Sequence, residues 1–137
     1  MGTLLADNPP KHEFRAAWVA TAYALDFPRS NWSTSAMLTE ISDALDALQE
    51  AEFNAVIFQV RPGCDAFYNS AYEPWSHHLT GTSGAAPSPY FDPLQTWIDE
   101  AHARNMELHA WFNPYRVSTS SDLNSLHSSH VYHQHPE

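Results

Sequence analysis

Arg61, Asp65 and Glu73 place a permanent cation and two carboxylates in one short stretch of chain. A guanidinium is a charged planar fork that suits a carboxylate, either on a ligand or on an acidic side chain whose pKa it lowers. Asp65, Glu73 and the earlier Asp26 can accept hydroxyl protons or pair with Arg61; a salt bridge from Arg61 to Asp65 and a loop-ordering hydrogen bond at Glu73 are the purely structural uses. A second group, His109, Trp111, Asn113, Tyr115 and Arg116, brings an imidazole, an amide and another guanidinium, able to read hydroxyls or an acidic group. Tyr68, Trp75, Trp111 and Tyr115 are flat rings that can stack on ring-shaped ligands. Packing under a loop is the competing use, favoured for Phe67 and Phe112.

The elements that must position these residues can be read from periodicity. Residues 107–116 alternate as a strand, with Glu107, His109, Trp111 and Asn113 on one side and Leu108, Ala110 and Phe112 on the other, before Pro114 ends the ladder. Residues 54–60 form a β-rich apolar run that leads into Arg61 and Pro62, and residues 13–23 suit a first buried strand. Asp26-Phe27-Pro28 opens a loop lasting to about Ser33. A helix capped by Ser33 or Ser35 follows, with Met37, Ile41, Ala44, Leu45, Leu48 and Ala51 on its apolar stripe and Glu40, Asp43, Asp46 and Glu50 opposite. Asp92-Pro93 opens a second helix, running to about Asn105, with Leu94, Trp97, Ile98 and Ala101 inward.

Between Pro62 and Asp92 lie about thirty residues without periodicity, a length that in a compact domain points to function or disorder. Their density of Tyr, Trp, Asp and Glu favours function. The tail after Val117 is rich in Ser and His, and residues 122–130 could form one weak helix. Its His127, His130, His133 and His135 match no zinc-ligand spacing, and adjacent His77 and His78 rarely converge on one ion, so no metal site is expected.

The chain has 137 residues and net charge −10, from sixteen carboxylates against six cationic side chains, which disfavours a nucleic-acid partner. Aromatics make up 13% and include five tryptophans, enough for either a core or a stacking surface. The single cysteine, Cys64, excludes an internal disulfide framework and reads as a small semi-buried thiol. No stretch reaches the roughly 18 apolar residues of a membrane span, and residues 1–10 lack the basic start and apolar run of a signal peptide. Residues 1–12, ending in Pro9-Pro10, read as a disordered lead-in.

The order strand, helix, strand, long loop, helix, strand predicts an α/β fold with a parallel sheet. Polar residues at the strand ends, Gln59 and Arg61 on the second and His109, Trp111 and Asn113 on the third, fit a (β/α) barrel, which binds at its strand C-termini. A doubly wound nucleotide fold normally shows a Gly-rich first turn, and four glycines supply none.

Eight blocks in order carry a resemblance: EFRAAWVAT from Glu13, FNAVIFQVRP from Phe53, DAFY from Asp65, YEPWS from Tyr72, LTG from Leu79, FDPL from Phe91, AHAR from Ala101 and HAWFNPYR from His109. A weaker echo lies in His130-Val131-Tyr132 and His135-Pro136-Glu137. Together they resemble the N-terminal part of the bacterial glycosyl-hydrolase-like family 10. The resemblance implies a glycosidase-type TIM barrel of which residues 13–117 are about the first three β/α units, with 118–137 the start of the next, since a whole barrel takes about 250 residues. It implies a glycoside hydrolase of bacterial polysaccharide, with peptidoglycan glycan strands as the pointed-to substrate, in an extracellular or cell-envelope setting, with no cofactor. Hydrolysis of a glycosidic bond needs two flanking carboxyl groups. The resemblance places a catalytic carboxylate on an acidic motif further downstream, so the chain is expected to be a truncated, inactive piece. Arg61, Asp65, Tyr68, Glu73, Trp75, His109, Trp111, Asn113, Tyr115 and Arg116 are the expected sugar-binding residues. A non-catalytic carbohydrate-binding module using Trp75, Trp111 and Tyr115, or a barrel enzyme of other chemistry, are the alternatives.

Overall fold

A computed structural model describes residues 13–29 and 32–135, so the expected lead-in at 1–12 lies outside the described residues. Three parallel strands, β1 (Ala16–Val19), β2 (Ala55–Arg61) and β3 (Glu107–Phe112), form one sheet in the order β1-β2-β3. Helix α1 (Thr34–Glu50) connects the first pair and α2 (Pro93–Ala103) the second, as parallel pairing requires. A four-residue helix, α3 (Val131–Gln134), closes the described chain. The fold is thus mixed α/β with a small parallel sheet, as the alternation predicts.

The helices begin where their caps predict. Ser33 accepts a hydrogen bond from the Ala36 N–H at 3.4 Å, and Asp92 accepts one from Gln95 N–H at 3.1 Å with Pro93 in the first turn. From α1, Met37, Ile41 and Leu45 are fully buried; from α2, Trp97 and Ala101 are. They meet Val56, Phe58 and Val60, the alternate residues of β2 that face the helices. The Trp97 and Phe58 rings stack with centroids 4.9 Å apart, and Phe27 packs edge-on against both. Phe27, in a segment read as plain loop, is a core residue that periodicity could not reveal.

Several expectations fail. The first strand does not run over 13–23: pairing stops at Val19, because the backbone N–H groups of Thr21 and Ala22 turn to the Gln59 side chain instead of continuing the ladder. Ala51, assigned to the apolar stripe of α1, is its exposed C-cap. The weak helix over 122–130 is only a 3-10 turn at Leu123–Ser125, with Asp122 accepting from the Asn124 N–H. Phe112 does not pack beneath a loop; it is 50% exposed on the edge strand β3, whereas Phe67 is fully buried.

The long loop after β2 is ordered by tertiary bonds. Ala66 bridges to Trp75 within it, and Phe67 and Leu79 are sunk into the core. The tail then folds back onto this loop. Val117 accepts from the Cys64 N–H at 3.0 Å, His127 N–H donates to Ser83 Oγ at 2.9 Å, and the His127 ring lies so close over Gly84, at φ +81°, that no Cβ would fit there.

Candidate functional site

Gln59 gathers the carboxyl ends of all three strands. It is fully buried on an otherwise apolar strand, so each of its polar atoms needs a partner. Its Oε1 accepts the N–H groups of Thr21 and Ala22, both at 2.8 Å, its backbone carbonyl accepts the Thr21 hydroxyl at 2.8 Å, and its Nε2 donates to Asn113 Oδ1 at 2.5 Å. One amide thus ties the end of β1 to the end of β3. Gln59 was read as a strand-end polar residue but not as part of the site; an amide inside an apolar run was the signal.

Arg61, the last residue of β2, makes the next layer. Its Nε donates to Glu73 Oε1 at 2.5 Å, its Nη1 to the Asn113 carbonyl at 2.7 Å, and its Nη2 lies 3.3 Å from Cys64 Sγ; its own carbonyl accepts the Asn113 N–H at 3.0 Å. A β-bulge between Gln59 and Arg61 re-aims the end of the strand to allow this. Burial works against the Arg61 charge, yet the hydrogen bond and charge of Glu73 outweigh it and leave the guanidinium pKa above its ordinary value. Burial raises the Cys64 thiol in turn, with the Arg61 charge opposing. Tyr68 is also pushed up, by burial and then by the Glu73 charge, which places its hydroxyl within reach of the pair electrostatically.

A hollow of about 270 Å³ opens over the ion pair, lined by Arg61, Tyr72, Glu73, Ser129, Val131, Gln134 and His135. The tail therefore supplies one wall, and His130 pins that wall. It is 1% exposed, its Nδ1 accepts the Tyr132 N–H at 3.2 Å, and its carbonyl accepts from His133 and Gln134. Burial lowers its pKa, against the pull of Asp65. His78 lies behind the same region, its Nε2 3.1 Å from Thr119 Oγ1; burial and then the neighbouring His77 lower it to about 4, and Asp65 opposes. A hollow of about 450 Å³ lined by His102, Asn105, Met106, Glu107, Leu108 and His109 lies at the other end of the strands, and one of about 630 Å³ lined by Arg29, Ala36, Thr39, Glu40 and Asp43 lies along the first turns of α1; neither draws on the ends of β2 and β3.

The expected residues separate into three sets. Arg61, Glu73 and Asn113 come together, and Tyr68 and Asp65 border them. Asp65 is not the partner of Arg61: it is buried, accepts from the Gly63 N–H at 3.3 Å, and its charge bears on His78 and His130 instead. Arg116 reaches the Pro62 carbonyl at 3.4 Å, at the back of the turn. Asp26 is spent on the Ala20 N–H at 2.8 Å. His109 is not at the strand end; it pairs with Ile57 in mid-strand, and its Nε2 lies 2.9 Å from Glu107. The four rings pack separately: Trp75 edge-on against Tyr90, Trp111 edge-on against Trp18, and Tyr68 against the core, while Tyr115 is 95% exposed. Among the described residues no group of three or more His, Cys, Asp or Glu could hold a metal ion, and no helix is long and apolar enough to cross a membrane.

The parallel α/β sheet thus gathers an ion pair, an amide relay and a hollow beyond the carboxyl ends of its strands, the end at which open α/β sheets as a class bind ligands. The chain belongs to the family Glycosyl hydrolase-like 10, whose model matches residues 13–137. It is 43% identical over 135 residues to Glycosyl hydrolase YngK of Bacillus subtilis (strain 168), an alignment covering 97% of this chain and 26% of that protein. With Glycosyl hydrolase DigH of Escherichia coli (strain K12) the identity is 42% over 138 residues, covering 88% of this chain and 31% of the relative. The chain thus spans about a quarter to a third of the length of these relatives.

Proposed function

We propose that the protein forms part of the sugar cleft of a glycoside hydrolase acting on bacterial polysaccharide, with amino-sugar glycans such as the peptidoglycan strands of the cell wall as the substrate class. In this reading residues 13–117 are the first three units of a (β/α)8 barrel and 118–137 lead into the next. The observation that carries it is the Arg61–Glu73 pair facing the hollow beyond β2 and β3, in a chain of a glycosyl-hydrolase-like family. Glu73 offers the second oxygen of its carboxylate to a sugar hydroxyl, Tyr68 and Tyr72 supply ring faces, and Arg61 and Asn113 hold the rim. Trp75, Trp111, Tyr115, Arg116, Asp65 and His109 serve more distant parts of the cleft or its support.

Among the described residues the hollow presents one carboxyl, Glu73, and none of its other lining residues is acidic. Glycosidic hydrolysis needs two. The isolated chain should therefore bind glycan without cleaving it. Incubating the purified chain with denuded peptidoglycan and assaying reducing ends should give no release above buffer, while an N-acetylglucosamine tetrasaccharide should shift the amide resonances of Arg61, Glu73 and residues 129–135. Release of reducing ends would contradict the first expectation; unshifted site resonances would contradict the second.

A further inference from the structure

An exposed guanidinium at a sugar site would be expected to read acidic sugars, since its fork matches a carboxylate. Arg61 is not free to do so. All three of its nitrogens are engaged within the protein, by Glu73, the Asn113 carbonyl and the Cys64 sulfur. Both side chains of the ion pair are only 18% exposed, so water screens the pair weakly. Among the described residues, Arg61 and Glu73 are also the only Arg, Lys, Asp or Glu side chains lining the hollow. Their charges offset one another, and the second carboxylate oxygen of Glu73 has no hydrogen-bond partner among the described residues. The remaining polar groups are uncharged donors and acceptors, chiefly the Tyr72 hydroxyl and the Gln134 carbonyl, the Gln134 Nε2 being spent on Ser128 O at 2.8 Å. The chain as a whole is at −10, which adds repulsion at long range.

We propose that Glu73 is a specificity residue: by filling the Arg61 fork it makes the hollow take the uncharged sugar units of a strand, in peptidoglycan the N-acetylglucosamine units, and exclude from that one position the units that carry a carboxylate. The inference rests on the reading that the hollow takes a sugar, and deepens it. A ligand carboxylate entering here meets the Glu73 charge beside a guanidinium that Glu73 already occupies, and like-charge juxtaposition of this kind lowers affinity by about tenfold or more. Replacing Glu73 by Gln keeps the shape and one acceptor for the Arg61 Nε–H but leaves the hollow with a net positive charge.

The test is titration calorimetry at pH 8, with an N-acetylglucosamine tetrasaccharide as the neutral probe and tetragalacturonate as the acidic one. The unmodified chain should prefer the neutral probe by about tenfold or more, and Glu73→Gln should raise the acidic-to-neutral affinity ratio by about tenfold. Glu73→Asp, which keeps the charge, should leave that ratio low. Equal affinity for both probes in the unmodified chain, or no change of ratio in Glu73→Gln, overturns the proposal while leaving a sugar site in place. Binding of neither probe by any of the proteins instead removes the carbohydrate reading on which it rests. A second readout is independent of sugar binding: the Arg61 Nε–H resonance should move on adding sodium acetate to Glu73→Gln and stay fixed in the unmodified chain. Equal movement in both would show that the fork is open already, which also overturns the proposal.

Discussion

The two faces of the sheet differ sharply. On one, Val56, Phe58 and Val60 are sealed by α1 and α2, and stacked aromatic rings fill the gap. On the other, Trp18, 62% exposed, leans edge-on against Trp111 with centroids 4.9 Å apart, and His109 and Phe14 make a similar pair at 5.3 Å. Both faces carry large rings, so ring content does not tell core from surface. What separates them is the covering layer: helices follow β1 and β2 on one side only, and among the described residues no strand pairs with the outer edge of β3. The site sits where the two faces meet, at the carboxyl ends of the strands, held by hydrogen bonds rather than by burial of apolar area.

That contrast can be broken by mutation. Trp97→Ala, on the sealed face, should lose about 3–5 kcal/mol in chemical denaturation. A loss near zero would mean the helices do not seal that face. The next effect should come from pH. The His78 pKa of about 4 in the folded chain lies below its ordinary 6.5, so the unfolded chain takes up the proton first as pH falls. The stabilisation is complete above pH 6.5 and is lost between 6.5 and 4, by up to about 3 kcal/mol. His78→Gln should flatten that part of the stability curve; an unchanged slope would remove His78 as its source.

Gln59→Leu should follow, at about 1–3 kcal/mol, because it leaves the Thr21 and Ala22 N–H groups and the Asn113 carbonyl of its side chain without their buried partner. The same variant should also shift the Asn113 resonances, which a purely local loss would not. Trp18→Ala, on the open face, should cost least, about 1 kcal/mol or below. A cost matching that of Trp97→Ala would erase the distinction between the faces.

The regular elements were legible because their signals are local. Ser33 and Asp92 start the helices at the positions their side chains dictate, and alternation assigns the inward residues of β2. Arg61 was legible too, as a cation at the end of an apolar strand. Its partner was not: Asp65 is nearer in sequence, yet the bulge after Gln59 and the turn of the loop bring Glu73 to it. Phe27 and His130 are buried, and His78 partly so, by contacts between segments with no periodicity, and the fold-back of the tail over Cys64, Ser83 and Gly84 leaves no pattern along the chain. The aromatic rings show the same limit. Ring type predicts that Trp75 and Trp111 can stack, but not that each leans edge-on against a different neighbour.

The central claim is that ligand binds where the strand ends converge and not on the open aromatic face. Titrating the N-acetylglucosamine tetrasaccharide into the unmodified chain and into Arg61→Ala, with circular dichroism confirming that both are folded, tests it most directly. Saturable binding that weakens by about tenfold or more in Arg61→Ala is the expected result. Equal affinity in the two proteins, with the perturbed resonances at Trp18 and Trp111, would contradict it.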